Sequence, residues 1–165
     1  GLLKPAFEKT GTITPANASK INDGAASVVL MAKEKADALK IKPLAGIRAY
    51  ASVAKNPEWF TTAPADAINK VLKKASMTID EVDLFEINEA FAVVVIAVNN
   101  ILKIDMKKIN VNGGAIALGH PIGASGARIL VTLIHALEQR NLKNGIASLC
   151  IGGGEASAML IQRLI

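Results

Sequence analysis

The chain is poor in several residue types that would each point to a particular class of protein. It has one cysteine among 165 residues, so no disulfide can form within it, which fits a reducing compartment. Aromatic residues make up 4% of the sequence, and histidine occurs twice. The longest apolar run, 90–104, is too short to cross a membrane and is interrupted by Asn99, Asn100 and Lys103. We therefore predict no internal disulfide and no membrane partner.

The charge of the chain is basic but evenly spread. Nineteen lysine and arginine residues stand against 14 acidic ones, which gives a formal charge of +5 and a pI near 9.4. Nucleic-acid binding is the usual meaning of such a balance, but the lysines are not interleaved with aromatic side chains as on a base-stacking surface. We predict no nucleic-acid partner. A polyanionic small molecule would suit the same excess of positive charge.

Apolar periodicity predicts an α/β protein with a mixed, mostly parallel sheet, a buried helix layer and outer helices. The expected strands are 27–32, 45–52, 84–87, 146–151 and 158–164. The expected helices are 33–40, 64–76, 90–104 and 125–139. The third helix is apolar nearly all round, which is typical of a helix buried between layers.

The glycine-rich segment 112–128 contains one of the two histidines, His120. Pro121 fixes the backbone just after this histidine and biases His120 toward an extended conformation. A side chain that titrates near neutrality, held on a constrained loop before a helix, suits a general base. The alternative is a glycine-rich connector with an incidental histidine. His135, on the following helix among leucines, is predicted to be structural.

Two other segments place a polar or reactive residue at the end of an apolar run. Asn88 follows the run 84–87, and Cys150 follows the run 146–149. Open α/β sheets carry their chemistry at such strand ends. Each residue has a simpler explanation: Asn88 could cap a helix that starts at Ala90, and Cys150 could be inert core.

Three motifs together resemble the thiolase family, the enzymes that make or cleave 3-ketoacyl-coenzyme A. They are N-E-A-F at 88–91, G-G-A-x-A-L-G-H-P-x-G-x-S-G-A-R at 113–128 and C-x-G-G-G at 150–154. Their order and spacing match that family, and 17–26 fits it as well. The resemblance implies a thiolase-like C-terminal half, with 43–165 as the C-terminal domain. Residues 1–42 would then be the end of the loop region and the last strand and helix of an incomplete N-terminal half.

The resemblance also implies roles for four residues. His120 would activate the cysteine that becomes acylated and would donate to the substrate thioester oxygen, with Asn88 supplying a further donor through a bound water. Cys150 would exchange the proton at the α-carbon of the acyl thioester. Gly152 would offer its backbone N–H to a second oxyanion hole. The acylated cysteine belongs to the N-terminal half, so that half is the expected partner.

Four more residues resemble substrate-binding positions. Ser19, Phe7 and Phe91 match positions that line the pantetheine channel. Phe60 begins the form Phe-x-x-Ala-Pro, which resembles the mitochondrial acetoacetyl-CoA thiolase branch, and it would border the α-carbon of the substrate. A turn or cap role for Ser19, and ordinary core packing for each phenylalanine, remain alternatives.

The function that the resemblance implies is transfer of an acetyl group between coenzyme A thioesters, with no required cofactor. Some members of the matching branch bind potassium near the segment corresponding to 15–18, but Pro15 departs from that branch, which leaves the ion optional. The alternatives are a longer-chain 3-ketoacyl-CoA thiolase and a catalytically silent acyl-CoA-binding or scaffolding subunit. We expect a homo-oligomer in the cytoplasm, or in the mitochondrial matrix of a eukaryote.

Overall fold

The structure, a computed structural model, describes residues 2–164. Its helices are α1 (Lys33–Ala38), α2 (Ala63–Ala75), α3 (Ala92–Leu102), α4 (Ala115–Leu118) and α5 (Ser125–Gln139). Its strands are β1 (Ala45–Ala54), β2 (Leu84–Ile87), β3 (Asn144–Ile151) and β4 (Glu155–Arg163). Short 3-10 helices occupy Pro57–Thr62, Ile79–Glu81 and Met106–Lys108.

The strands form one mixed sheet in the order β1-β4-β3-β2. β4 pairs antiparallel with both β1 and β3, whereas β2 and β3 are parallel. The α/β class and the mixed sheet are confirmed, but the prediction of a mostly parallel sheet is wrong. A turn of three residues, 152–154, joins β3 to β4, and so short a connection can only return the chain antiparallel. Parallel pairing needs a longer crossover, which the helices between β2 and β3 provide.

Helices cover both faces of this sheet. On one face, α2 and α3 pack against alternate strand residues, including Phe85 and Ile87 of β2. On the other face, α5 packs through Ile129, Leu133 and Leu137. Every residue of β2 is buried because successive side chains point to opposite, equally covered faces. The end of β2 is therefore a rigid support for the residues that follow it.

Helix α3 is shorter and more exposed than its sequence predicts. It begins at Ala92, and its N-cap is Phe91, so the prediction that Asn88 caps this helix is wrong. Val94 and Val98 are fully buried, whereas Ile96 and Ile101 are 55% and 50% exposed. Within residues 2–164 the helix packs along one side only, so the prediction of burial all round is also wrong. An apolar pattern shows that a surface avoids water, but not which part of a molecule covers it.

The segment 27–32 is not a strand. It is extended chain without regular pairing, and Val29 and Leu30 are 90% and 69% exposed. The buried strand predicted here is therefore wrong for residues 2–164. A strand needs a partner for its backbone N–H and C=O groups, and the sheet of the described chain ends at β1 and β2.

The turn between β3 and β4 is fixed against the end of β1. Gly154 has φ +93°, and a Cβ there would collide with the backbone carbonyl of Lys55. The Lys55 N–H donates to the Gly154 carbonyl at 3.0 Å. The Lys55 ammonium also donates to Thr62 Oγ1 at 3.1 Å and pairs with Asp66 at 2.6 Å. One lysine thus connects the turn, the 3-10 helix Pro57–Thr62 and α2.

Candidate active site

The parallel pairing of β2 and β3 brings two of the predicted site residues to one edge of the sheet. Ile87 lies opposite Ser148, and the Asn88 N–H donates to the Ser148 carbonyl at 2.9 Å. Cys150 lies two residues after Ser148, near the end of β3. Asn88 is 1% exposed and Cys150 is partly buried. The edge therefore presents an amide and a thiol from neighbouring strands.

His120 reaches this edge from the loop that precedes α5. Its N–H donates to the Lys20 carbonyl at 2.8 Å, and its ring Nε2 lies 3.3 Å from the Asn88 side-chain nitrogen. The tight backbone before it is possible because Gly119, at φ +98°, has no Cβ to strike the Asn22 amide. The loop is thus held on the N-terminal segment, and His120 contacts Asn88 directly.

The hydrogen bonds around His120 define which of its ring nitrogens carries the proton. Ser125 Oγ lies 2.5 Å from Nδ1 and donates its own proton to the Pro121 carbonyl at 3.1 Å. In this arrangement the serine oxygen accepts from an Nδ1–H. On the other side the Asn88 amide nitrogen can only donate, so Nε2 carries a lone pair. This network assigns the tautomer that a general base requires.

The surroundings of His120 keep its ring neutral. Burial lowers the pKa of His120 below its usual value, and the positive charge of Arg128 lowers it further. A neutral ring with a free Nε2 can accept a proton near pH 7. The hydrogen bonds around the ring and the lowered pKa of His120 therefore both favour the neutral imidazole.

Residues that the sequence reasoning did not single out support this pair. Ser125 is fully buried at the start of α5 and fixes Nδ1. Arg128 Nη2 donates to Asn88 Oδ1 at 3.4 Å, and its Nη1 lies 3.6 Å from Glu86 Oε2. In the sequence, only the position of Ser125 and Arg128 on the helix after the histidine loop pointed to this supporting role. A serine and an arginine on the first turn of a helix lie on the face that carries the preceding histidine loop.

Glu89 connects the Asn88 turn to the glycine-rich loop. Its carboxylate accepts from Asn110 Nδ2 at 3.2 Å and from the Ile116 N–H at 3.1 Å. The carboxylate occupies the place that a Cβ on Gly114 would need. This contact gives Gly114 a packing role, and it fixes two of the three motifs relative to each other.

Cys150 lies between the core and the surface. It packs partly against the core formed by α2, α3 and the sheet, and burial raises the pKa of its thiol. A thiol of this kind holds its proton at neutral pH.

Gly152, two residues later, is exposed, has no atom within 4 Å of an added Cβ and does not adopt a positive φ. Its backbone conformation therefore does not require glycine, in contrast to that of Gly154.

The predicted substrate-binding residues also lie together, around Phe91. The ring centroids of Phe7 and Phe60 are 5.9 Å and 6.2 Å from that of Phe91, both in edge-to-face geometry. Ser19 Oγ donates to the Ala90 carbonyl at 2.8 Å, and its N–H bonds to the same oxygen. Phe7 is 72% exposed, so it is not a core residue of the described chain. The four residues form a small apolar platform beside Asn88.

Residues 2–164 contain neither a cluster of metal ligands nor a helix that could span a membrane. No group of three or more histidine, cysteine or acidic side chains is placed to hold a metal ion. No helix in that range has both the length and the apolar character needed to span a bilayer. The second histidine, His135, is exposed on α5, where its Nδ1 lies 3.3 Å from Glu138 Oε2, and its structural role stays a prediction.

Comparison with known families identifies the chain. Residues 41–163 match the family described as thiolase, C-terminal domain, and residues 1–34 match thiolase, N-terminal domain. The chain belongs to the thiolase family. The resemblance carried by the three motifs is confirmed, and this thiolase chain has close relatives among curated proteins and solved structures.

Three of these thiolases show the extent of the similarity. The probable acetyl-CoA acetyltransferase of Dictyostelium discoideum is 59% identical over 98% of this chain and 39% of the relative. The mitochondrial acetyl-CoA acetyltransferase of Rattus norvegicus is 56% identical over 98% of this chain and 38% of the relative. The crystal structure of the Bacillus anthracis acetyl-CoA acetyltransferase has a TM-score of 0.97 and 50% identity, over 99% of this chain and 41% of that one. The chain thus spans about two fifths of the length of the thiolases that it matches.

Proposed function

We propose that this chain is the C-terminal part of a thiolase that transfers an acetyl group between coenzyme A thioesters. The reaction would convert acetoacetyl-CoA and coenzyme A into two molecules of acetyl-CoA, or the reverse. A second thiolase part would supply the nucleophilic cysteine. The observation that carries the proposal is the position of His120, whose Nε2 lies 3.3 Å from the Asn88 amide nitrogen at the sheet edge and whose Nδ1 lies 2.5 Å from Ser125 Oγ.

In the first half-reaction, His120 would act as the base. Nε2 would take the proton of the nucleophilic thiol, whose sulfur then attacks the 3-keto carbon of the substrate. The imidazolium formed can keep its Nδ1–H on Ser125, which needs no rearrangement. Its new Nε2–H would donate to the thioester oxygen of the substrate, which gains negative charge when the bond between carbons 2 and 3 breaks, and Asn88 would supply a further donor to that oxygen through a bound water. Each such donor contributes on the order of a hundredfold to a thousandfold in rate.

Cys150 would give a proton to the acetyl-CoA fragment that leaves in this half-reaction. Breaking the bond between carbons 2 and 3 leaves an enolate of acetyl-CoA, which needs a proton at its α-carbon. A thiol whose pKa is raised by burial holds the proton to be given, and it would take one back in the condensation direction. The proton on His120 Nε2 would return to the Cys150 thiolate, so His120 is neutral again when coenzyme A attacks the acyl-enzyme and gives His120 its thiol proton. The imidazolium formed would then protonate the departing nucleophilic cysteine. This sequence involves no change of oxidation state, so it requires no redox cofactor.

The platform formed by Phe7, Phe60, Phe91 and Ser19 would hold the substrate. Edge-to-face rings offer an apolar wall to the pantetheine arm, and Phe60 would face the α-carbon. The proposal extends to a homo-oligomer of the complete enzyme, in the cytoplasm or the mitochondrial matrix. It leaves a potassium ion near 15–18 as an optional addition through backbone carbonyls.

Partial reactions of the assembled enzyme test the proposal. With a thiolase part that carries the nucleophilic cysteine, we expect His120→Ala to prevent acylation by acetyl-CoA, measured as labelled acetyl-enzyme. Cys150→Ala should leave acylation intact but slow the exchange of deuterium into the methyl group of acetyl-CoA. His135→Ala, the other histidine of the chain, serves as the control and should change neither rate.

Three outcomes would contradict the proposal. Identical defects in His120→Ala and Cys150→Ala would refute the separation of roles. Saturable turnover of acetoacetyl-CoA by the 165-residue chain alone would show that no second part supplies the nucleophile. Acyl-CoA binding with no turnover in any assembly would instead indicate the silent binding subunit.

A further inference from the structure

Two ionisable side chains, one buried and one partly buried, lie behind Asn88, and the chemistry proposed above does not use them. Glu86, in β2, is 2% exposed, and the Arg128 side chain, in the first turn of α5, is 19% exposed. The guanidinium touches both Asn88 Oδ1, at 3.4 Å, and Glu86 Oε2, at 3.6 Å. Removing two charges from water is unfavourable unless they stabilise each other or something nearby. Arg128 contacts the Asn88 amide on the side away from His120, so this amide is the nearby group that the charges can stabilise.

The amide of an asparagine has two ends of nearly the same size, and its neighbours decide which way it faces. A guanidinium has only donors, so Arg128 accepts one orientation, with Oδ1 toward itself. That orientation turns the amide nitrogen toward His120 Nε2. A flipped amide would place an oxygen against Nε2 and favour a proton there. His120 in that state could not accept a proton from a thiol.

Ser125 cannot make this choice on its own. A hydroxyl both donates and accepts, so Ser125 can rotate its proton from the Pro121 carbonyl to Nδ1 if the proton of the ring moves to Nε2. The serine therefore adapts to either tautomer. Among the side chains of this series, Arg128 is the one whose hydrogen-bonding direction cannot change, and its Nη1 lies 3.6 Å from Glu86 Oε2.

We propose that Arg128 is a positioning residue that sets the tautomer of His120 through the side-chain amide of Asn88. Glu86, which lies in β2 two residues before Asn88, forms an ion pair with the guanidinium at 3.6 Å. The importance of this tautomer for catalysis rests on the proposed function, in which His120 is a base. The tautomer itself is a property of the free chain and can be measured without substrate.

Nitrogen NMR on the 15N-labelled chain at pH 8 tests the inference directly. The chain has two histidines, and exposed His135 provides an internal reference in every spectrum. In the wild type we expect Nδ1 of His120 to carry the proton and Nε2 to be bare. In Arg128→Met the two ring nitrogens of His120 should become averaged or exchange roles, while Arg128→Lys, which keeps a cationic donor, should retain most of the wild-type pattern.

A matched control makes the same chemical change just beyond the other end of α5. Arg140 is exposed and donates to Asn112 Oδ1 at 3.0 Å, without contact to Asn88, so Arg140→Met should leave the His120 pattern unchanged. If Arg128→Met loses its folded spectrum, Asn88→Asp gives the same test. A carboxylate has no N–H to offer Nε2, so it should move the proton to that nitrogen.

A wild-type nitrogen pattern in folded Arg128→Met, or in Asn88→Asp, would overturn the inference. In the assembled enzyme, Arg128→Met should reduce the rate of acylation by about tenfold or more, because a base in the wrong tautomer loses much of its activity. The inference about the His120 tautomer and the proposed transferase function can each be refuted without the other. An altered tautomer in a protein without transferase activity would leave the inference standing, and transferase activity with an unchanged tautomer would refute only the inference.

Discussion

Replacing Glu86 by glutamine should make the protein more stable at alkaline pH and change little at acid pH. Burial, the largest effect, raises the pKa of this carboxyl to about 7, although the charge of Arg128 lowers it. A raised folded-state pKa means that the folded protein keeps a proton that the unfolded chain releases. The contribution of Glu86 to stability is therefore fully present below pH 4.5 and is lost as the pH rises through about 7.

The size of the effect follows from the same shift. A rise from 4.5 to about 7 corresponds to about 3 kcal/mol at about 1.4 kcal/mol per pKa unit. At 2% exposure, solvent screening of the carboxyl is small. Between pH 5 and pH 8.5 the free energy of unfolding of Glu86→Gln, relative to the wild type, should rise by about 2 to 3 kcal/mol. Glutamine has nearly the same shape and does not ionise, so other titrating groups cancel in the comparison.

Urea denaturation at a series of pH values measures this difference. The exposed pair of Glu138 and His135 provides the control, since Glu138→Gln at 56% side-chain exposure should change the free energy of unfolding by less than about 0.5 kcal/mol at any pH. A difference between Glu86→Gln and wild type that stays constant from pH 5 to pH 8.5 would refute the reasoning. It would mean that Arg128 compensates the buried carboxylate completely.

Three further substitutions test other parts of the site. Ser125→Ala removes the acceptor at His120 Nδ1 and should reduce the acylation rate of the assembled enzyme by about tenfold to a hundredfold, while coenzyme A binding stays unchanged. An unchanged acylation rate would make Ser125 a packing residue. Phe60→Met should lower the preference for 2-methylacetoacetyl-CoA relative to acetoacetyl-CoA by about tenfold or more in competition kinetics, and an equal ratio would contradict the assigned contact. Gly154→Ala should lower the free energy of unfolding, measured by urea denaturation, by about 2 kcal/mol or more, whereas Gly152→Ala should not, because only Gly154 of the two has a positive φ and a carbonyl where its Cβ would lie. Equal midpoints for the two glycine variants would count against the described turn.

The sequence predicts the parts of the fold that depend on local pattern. Strand 84–87 and helix 125–139 have the bounds that periodicity indicated. Periodicity does not report strand direction, so the antiparallel placement of β4 required knowledge of its three-residue turn. It also does not report which apolar surfaces are covered, which explains the errors at α3 and at 27–32.

For the candidate site, sequence reasoning found the reactive side chains and missed the groups that orient them. Asn88, His120 and Cys150 stood out because each follows an apolar or glycine-rich segment, and their roles stay predictions. Glu86 did not stand out, since a single carboxylate between apolar residues is equally typical of a strand with one wet face. Only the covering of β2 by α5 shows that this carboxylate is buried next to Arg128.

The contact between Gly154 and Lys55 has a consequence for changing the substrate range of such an enzyme. The turn after Cys150 rests on the same lysine that holds the 3-10 helix carrying Phe60. A larger or smaller residue in that helix would shift Lys55, and the shift would reach the turn that follows the thiol. In the proposed function, acyl-group selectivity and proton delivery at the α-carbon would therefore be mechanically coupled. A redesigned pocket would need compensating changes at Lys55 or Thr62 to keep its rate.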